Sequence, residues 1–241
     1  MAVKKAAKSP AMRLDMGAAI LAAAQTNNTQ SVKRRLDTFT AVHRRYASAQ
    51  RKVEAIDERI QAAQDRLAAG DTAQDAAIEG LARALVADGQ PRSNPFAAFG
   101  AGSPYAVKRL WASDQAKAIH HLVAKVLPHG GTSKATTEAA AAADKSARAV
   151  EAVLAQLGQL EQASRSARQR RDGINDTWDT ALAGLKRGAR AAVDDGAPGL
   201  YAAFFGRFTR PTRKKPQPAP PSPAPPITVT PEPVSPAATV A

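Results

Sequence analysis

A hydrophobic residue recurs at every seventh position from Val32 to Leu67: Val32, Phe39, Tyr46, Val53, Ile60 and Leu67. The interleaved positions Val42, Ala49, Ile56 and Ala63 complete an a/d pattern, with Arg35 as the single misfit. A repeat of 3.5 residues keeps one stripe of an α-helix turned toward a partner helix along its whole length. The repeat therefore demands a long helix packed lengthwise on another. It fixes an architecture and carries no chemistry.

The rest of the chain reads as helix of the same kind. Residues 12–26 form a short helix. Asn27-Asn28-Thr29 breaks it, and Ser31 is placed to cap the next. The heptad helix runs to about Ala69, with Gly70 as a C-terminal stop and Asp71 or Thr72 as the cap of a further helix. That helix carries Ile78, Leu81, Leu85 and Val86 and ends at Asp88-Gly89. A Gly/Pro-rich connector follows, in which Phe96 and Phe99 are expected to tuck onto the end of the bundle. Tyr105 to Leu127 reads as one helix whose apolar face is Val107, Leu110, Trp111, Ile119, Leu122, Val123 and Val126. The longest stretch opens at Thr132 or Ser133 and reaches about Asp195. Its seam is interrupted by Ser164 and Arg171, and Gly173 and Gly184 are candidate kinks. The expected fold is all-α: an elongated helical bundle of long antiparallel coiled-coil-like helices over residues 12–208. It lies between a disordered basic arm at 1–11 and a disordered basic, Pro-rich tail at 209–241, which holds eleven of the seventeen prolines.

Composition narrows the class. Hydrophobic residues make up 44% of the chain but aromatics only 5%. Much of the apolar share is alanine, which buries little area and suits slender bundles. There is no cysteine, which rules out disulfides and thiolate chemistry and fits a cytoplasmic protein. No apolar run approaches the roughly 20 residues that span a bilayer. Lys4, Lys5 and Lys8 ahead of Gly17–Ala24 imitate a secretion signal, but Arg13 and Asp15 abut the apolar stretch.

The net charge is +13 and unevenly spread. Residues 1–30 hold four basic and one acidic residue, 31–70 nine and five, and 197–241 five and one, for nets of +3, +4 and +4. Such a field favours polyanions or acidic proteins. The candidate polyanion-binding residues are Arg207, Arg210, Arg213, Lys214 and Lys215, beside Phe204, Phe205 and Phe208, together with Lys4, Lys5 and Lys8. Cations there could hold phosphates while the aromatics stack; the competing reading has the phenylalanines close the bundle. Lys215-x-x-Pro218-x-x-Pro221 also fits a polyproline ligand pattern, which a proline-rich tail produces by chance.

Catalytic and metal signatures are missing. No Glu stands three residues before His43, His120, His121 or His129, so the histidines are expected at the surface or its boundary. No serine lies in a nucleophile elbow. Gly130-Gly-Thr-Ser-Lys134 has part of a phosphate-loop sequence without its spacing or preceding strand, and reads as a helix cap. Gly184-x-x-x-Gly188 reads as close packing inside the bundle. Ala-rich amphipathic helices, few aromatics and a basic Pro/Ala-rich tail resemble, in composition, bacterial granule-associated proteins of the phasin type; the resemblance carries no motif and transfers no residue roles. Heavy Ala and Arg usage is expected of a high-GC bacterial source. The leading expectation is a non-enzymatic scaffold or adaptor, without cofactor or metal, that recruits a protein partner through its tail. The alternatives are a nucleoid- or polyanion-associated DNA-binding protein and a phasin-like granule- or lipid-surface protein; each admits a homo-oligomer.

Overall fold

The computed structural model describes residues 9–208. All of these except Phe208 belong to one compact unit, Met1–Arg207. The readings of residues 1–8 and of 209–241 lie outside the described residues.

Among the described residues there are helices and no strands. In chain order they are α1 (Pro10–Thr26), α2 (Lys33–Ala87), α3 (Pro104–Lys108), α4 (Ala112–Val126), α5 (Lys134–Asp172), α6 (Asn175–Asp194) and α7 (Leu200–Phe205). Short 3₁₀ turns precede α2 at Gln30–Val32, cover Ala97–Phe99 in the connector, and follow α7 at Gly206–Phe208. Helix α1 starts at Pro10, two residues earlier than its apolar pattern suggests. The Ser9 hydroxyl accepts the Met12 amide at 3.2 Å, and proline is at ease in a first turn.

Helix α2 is 55 residues long, about 80 Å at 1.5 Å per residue. It does not stop at Gly70. The Thr72 hydroxyl donates back to the Ala68 carbonyl at 3.1 Å instead of capping a new helix. A Cβ on Gly70 would stand 3.1 Å from Val150 Cγ2, so the missing side chain lets α2 and α5 close on each other. The helix ends where Asp88-Gly89 predicts, with Gly89 at φ 89°.

Helices α2 and α5–α6 run antiparallel. Asp88 meets Ser133, Gly70 meets Val150, Asp57 meets Ser164, Gln50 meets Arg171 and His43 meets Trp178, so one number falls as the other rises. The long second stretch breaks at Gly173: the Gly173 amide bonds Gln169 O, the Ile174 amide bonds Arg171 O, and α6 starts afresh.

Each end of this pair is thickened by extra helices. At one end α3, α4 and the connector cover the close of α2 and the start of α5. Ile78, Leu81 and Leu85 pack there with Ile119, Leu122 and Val126, and Phe96 and Phe99 are buried among them. The helix expected over 105–127 is two, because α3 ends at Lys108 and α4 begins at Ala112. The corner between them turns Leu110 and Trp111 outward, at 44% and 84% exposure, so neither is part of the apolar face. At the other end α1, α6 and α7 surround the start of α2, where Phe39, Tyr46, Trp178, Leu185, Phe204 and Phe205 are buried. There Leu36 and His43, one position on from Arg35 and Val42, fill the core, because helices cover α2 on more than one side.

Between the ends, among the described residues, α2 and α5 pack on each other alone. Ala63, Leu157 and Leu160 are buried, while Ile56, Ile60, Leu67 and Val153 are half-exposed. Ile60, a seam residue of the heptad, is thus only partly buried, because a two-helix waist shields it from one direction.

Candidate functional site

The waist has two flanks, and they differ. On one, Asp57 is the hub. Its Oδ1 accepts the buried Ser164 hydroxyl at 2.9 Å, and its two oxygens accept Arg168 Nη2 at 3.2 and 3.0 Å. One turn away Arg171 Nη1 donates to Gln50 Oε1 at 3.0 Å. Ser164 and Arg171, the two interruptions of the apolar seam, are thus the donors that tie α5 to α2 on this side.

The other flank is an open groove of about 1160 Å³ between α2 and α5, reaching to the α5–α6 break at Gly173 and Ile174. Its floor is lined mostly by small residues: Ala49, Ala55, Ala163 and Ala167, with Ser48 and Ser166, around Ile56; Ala55 and Ala163 are exposed. Three cations line it, Arg45 and Lys52 on α2 and Arg170 on α5, with Gln159 and Gln162 as the other large polar groups and no carboxylate. All three cations are exposed, and none makes an ion pair with a described residue. The cationic row extends beyond the groove, because Arg45, Lys52, Arg59 and Arg66 recur every seven residues of α2. A heptad helix carries every seventh residue on the same flank. The signal was present in the sequence, as a wholly basic column beside the apolar seam, but counting charge by segment hides it.

Of the residues singled out from sequence for polyanion binding, only Arg207 is described; it is exposed in the turn Gly206–Phe208. Arg210, Arg213, Lys214, Lys215, Lys4, Lys5 and Lys8 lie outside the described residues. Phe204 and Phe205 are each 1% exposed, with ring centroids 6.0 Å apart and nearly perpendicular, and Lys186 Nζ stands 5.2 Å from the Phe205 ring centre. They close the bundle end and have no face to offer a base.

The histidines correct one expectation. His43 is buried, and Trp178 Nε1 donates to its Nδ1 at 3.4 Å, which requires that nitrogen to be unprotonated. Burial holds its pKa below the usual 6.5. Beside it, buried Arg13 pairs with Asp179 at 2.9 Å, its guanidinium 5.8 Å from the Trp178 ring centre and 6.0 Å from that of Tyr46. This cluster fastens α1 to α2 and α6. His120 bridges Asp144 through Nδ1 at 2.7 Å and Glu151 through Nε2 at 3.2 Å, its two nitrogens facing different carboxylates. His121 and His129 are exposed. Among the described residues no group of three His, Asp or Glu side chains is arranged to hold a metal.

The Gly130–Lys134 stretch is a helix cap. Ser133 Oγ accepts the Thr136 amide at 3.2 Å, and the Ser133 amide donates to Asp88 Oδ2 at 2.9 Å. That amide bond, with the nearby hydroxyls, holds the Asp88 carboxyl below its ordinary range, and the anion at this helix start is the chain's own. In Gly184-x-x-x-Gly188 only Gly188 is a close-packing site: a Cβ there would stand 2.6 Å from Arg35 Nη1, whereas one on Gly184 would meet nothing within 4 Å.

No known family model matches the chain, and neither a curated protein nor a solved structure gives a significant match. Among the described residues no helix is long and apolar enough to cross a membrane.

Proposed function

We propose that this chain is a non-enzymatic helical scaffold or adaptor of the cytoplasm that recruits an acidic protein partner. The observation that carries the reading is the waist groove, a floor of mostly small residues around Ile56, lined by Arg45, Lys52 and Arg170 with no carboxylate to neutralise them. A surface of this kind gains by excluding water from its floor and by pairing its rim. The basic Pro-rich tail is the second recruiting element, through Arg210, Arg213, Lys214 and Lys215. A nucleoid or polyanion role draws on the net charge of +13, but the aromatic partners it would use for stacking, Phe204 and Phe205, are buried. One observation favours a granule- or lipid-surface role: Tyr105, Leu110 and Trp111 are exposed together at the α3–α4 corner, with Arg109 5.5 Å from the Tyr105 ring centre.

The test compares three full-length baits in nuclease-treated extract: the native chain, Arg45→Glu/Lys52→Glu/Arg170→Glu, and a tail variant with Arg210, Arg213, Lys214 and Lys215 changed to alanine. Quantitative mass spectrometry should find acidic proteins that the groove variant loses. Identical protein sets on all three baits, or capture that vanishes with nuclease alone, would overturn the adaptor reading.

A further inference from the structure

The geometry points to a specific occupant for the groove: an acidic amphipathic α-helix of a partner protein, lying along the α2–α5 valley as the third helix of the waist. The inference rests on the adaptor reading and specifies its ligand. Two antiparallel helices leave between them a valley into which a third nests at interaxial distances of about 8–10 Å. The fold has a related arrangement beside the waist, where α4 packs on α5 and shares a core with Ile78, Leu81 and Leu85 of α2, and Gln115 donates to Asp75 at 2.8 Å. Between the two ends no third helix of the described residues covers the groove flank.

Dimensions and chemistry define what fits. The groove follows α2 from Arg45 to Ile56, about 16 Å or three turns of helix. Alanines on its floor let a backbone approach closely, so the occupant needs apolar residues at helical spacing over about three turns. Arg45 and Lys52 stand seven residues apart on α2, with Arg170 on α5, so an occupant with carboxylates on its flanks at a similar spacing would pair both rims.

The same features disfavour other occupants. Two copies apposed groove to groove would set like cations against each other. The tail, with five basic residues to one acidic in 197–241, has the wrong sign. A phosphodiester backbone would find donors in Arg45, Lys52, Arg170, Ser48 and Ser166, but it has no apolar face with which to cover Ala49, Ile56 and Ala167, as an amphipathic helix does.

The probe is a synthetic fluorescein-labelled helical 18-mer with a leucine and alanine stripe and glutamate flanks. Its control is the same peptide with lysine for every glutamate. Each is titrated with the full chain by fluorescence anisotropy at low and at physiological salt, beside a random-sequence DNA duplex. The glutamate peptide should bind, more weakly at higher salt, and the lysine peptide should not. Arg45→Glu/Lys52→Glu/Arg170→Glu should weaken the glutamate peptide at least about tenfold, the scale of three exposed ion pairs lost together, and should admit the lysine peptide. Ala163→Trp, which fills the floor and leaves the charges, should also block binding. Circular dichroism must show native helicity for both variants.

Equal binding of the two peptides, or a glutamate-peptide affinity unmoved by the triple reversal, would overturn the inference. So would duplex binding lost on the triple reversal, or a change of oligomer mass in sedimentation, since each assigns the groove to another occupant. If acidic proteins are still lost from the groove-variant bait while the peptide fails to bind, the adaptor reading stands and the helical occupant is wrong.

Discussion

Replacing Gly17 by alanine should destabilise a helix that alanine normally stabilises. In an exposed helix interior the exchange is worth about 1 kcal/mol in favour of alanine. Gly17, however, faces a buried imidazole. A Cβ built on it would lie 2.1 Å from both Cε1 and Nδ1 of His43 and 2.7 Å from Cγ. The ring cannot swing aside freely: it is stacked on Phe39 at 5.9 Å and 10°, and its Nδ1 accepts from Trp178. The overlap exceeds 1 Å, so the cost belongs at the upper end of the overpacking range of about 1–3 kcal/mol. Subtracting the propensity gain leaves a net loss of roughly 2 kcal/mol, limited by the free energy with which α1 is docked. Gly80→Ala and Gly158→Ala are the controls. Both lie inside long helices with nothing within 4 Å of the added Cβ, and both should stabilise by about 0.5–1 kcal/mol. Urea melts of the three variants measure the difference, roughly 3 kcal/mol between Gly17→Ala and either control. In a double-mutant cycle Gly17→Ala should cost little once His43 is already alanine, because the two groups touch, although His43→Ala carries its own loss by removing the acceptor of Trp178 Nε1. A Gly17→Ala variant as stable as the controls would show that α1 does not pack on His43.

Three further outcomes follow from burial and pairing. Ile78→Ala, at a site 1% exposed, should cost about 3–4 kcal/mol, whereas Ile60→Ala in the open waist should cost about 1–2 kcal/mol; equal losses in denaturant melts would deny the waist its two-helix character. His43 has a folded pKa below 6.5, so its neutral form stabilises the fold above that pH, and this contribution is lost as pH falls from about 6.5 toward the folded pKa. Thermal melts from pH 7.5 to 5 should show that loss in the native chain and a flatter profile in His43→Gln. Asp57→Ala should cost about 1–2 kcal/mol because it leaves the buried Ser164 hydroxyl without its acceptor, and adding Ser164→Ala should return part of it; additive losses would refute the coupling.

The sequence made the long seam legible because a 3.5-residue repeat needs no tertiary information to recognise. The cap at Ser133, the stop at Asp88-Gly89 and the burial of Phe96 and Phe99 followed from local chemistry in the same way; of the two candidate kinks, the chain breaks at Gly173, while Gly184 lies inside α6. Gly70 misled because glycine ends helices when the left-handed conformation is wanted, but also sits inside them where two backbones approach; only the position of Val150 distinguishes the two. Trp111 misled for a related reason. A continuous helix would have put it on the apolar face, and a turn at Arg109–Leu110 rotated it outward. His43 reads as a boundary residue because it lacks a metal-ligand pattern, while the groups that bury it, Gly17 of α1 and Trp178 of α6, come together only in the folded chain. The groove was the least legible feature. Its cationic column can be read from the spacing of Arg45, Lys52, Arg59 and Arg66, but that no third helix of the described residues covers that flank depends on how all the helices pack.

The central claim is that the cationic waist groove is the partner site, and hydrogen exchange read by mass spectrometry on the full chain, with and without saturating glutamate-flanked peptide, tests it most directly. Protection should rise in residues 45–56 and 159–174 and stay unchanged across 96–111. Protection confined to 209–241, or to the exposed corner at Tyr105–Trp111, would contradict the account.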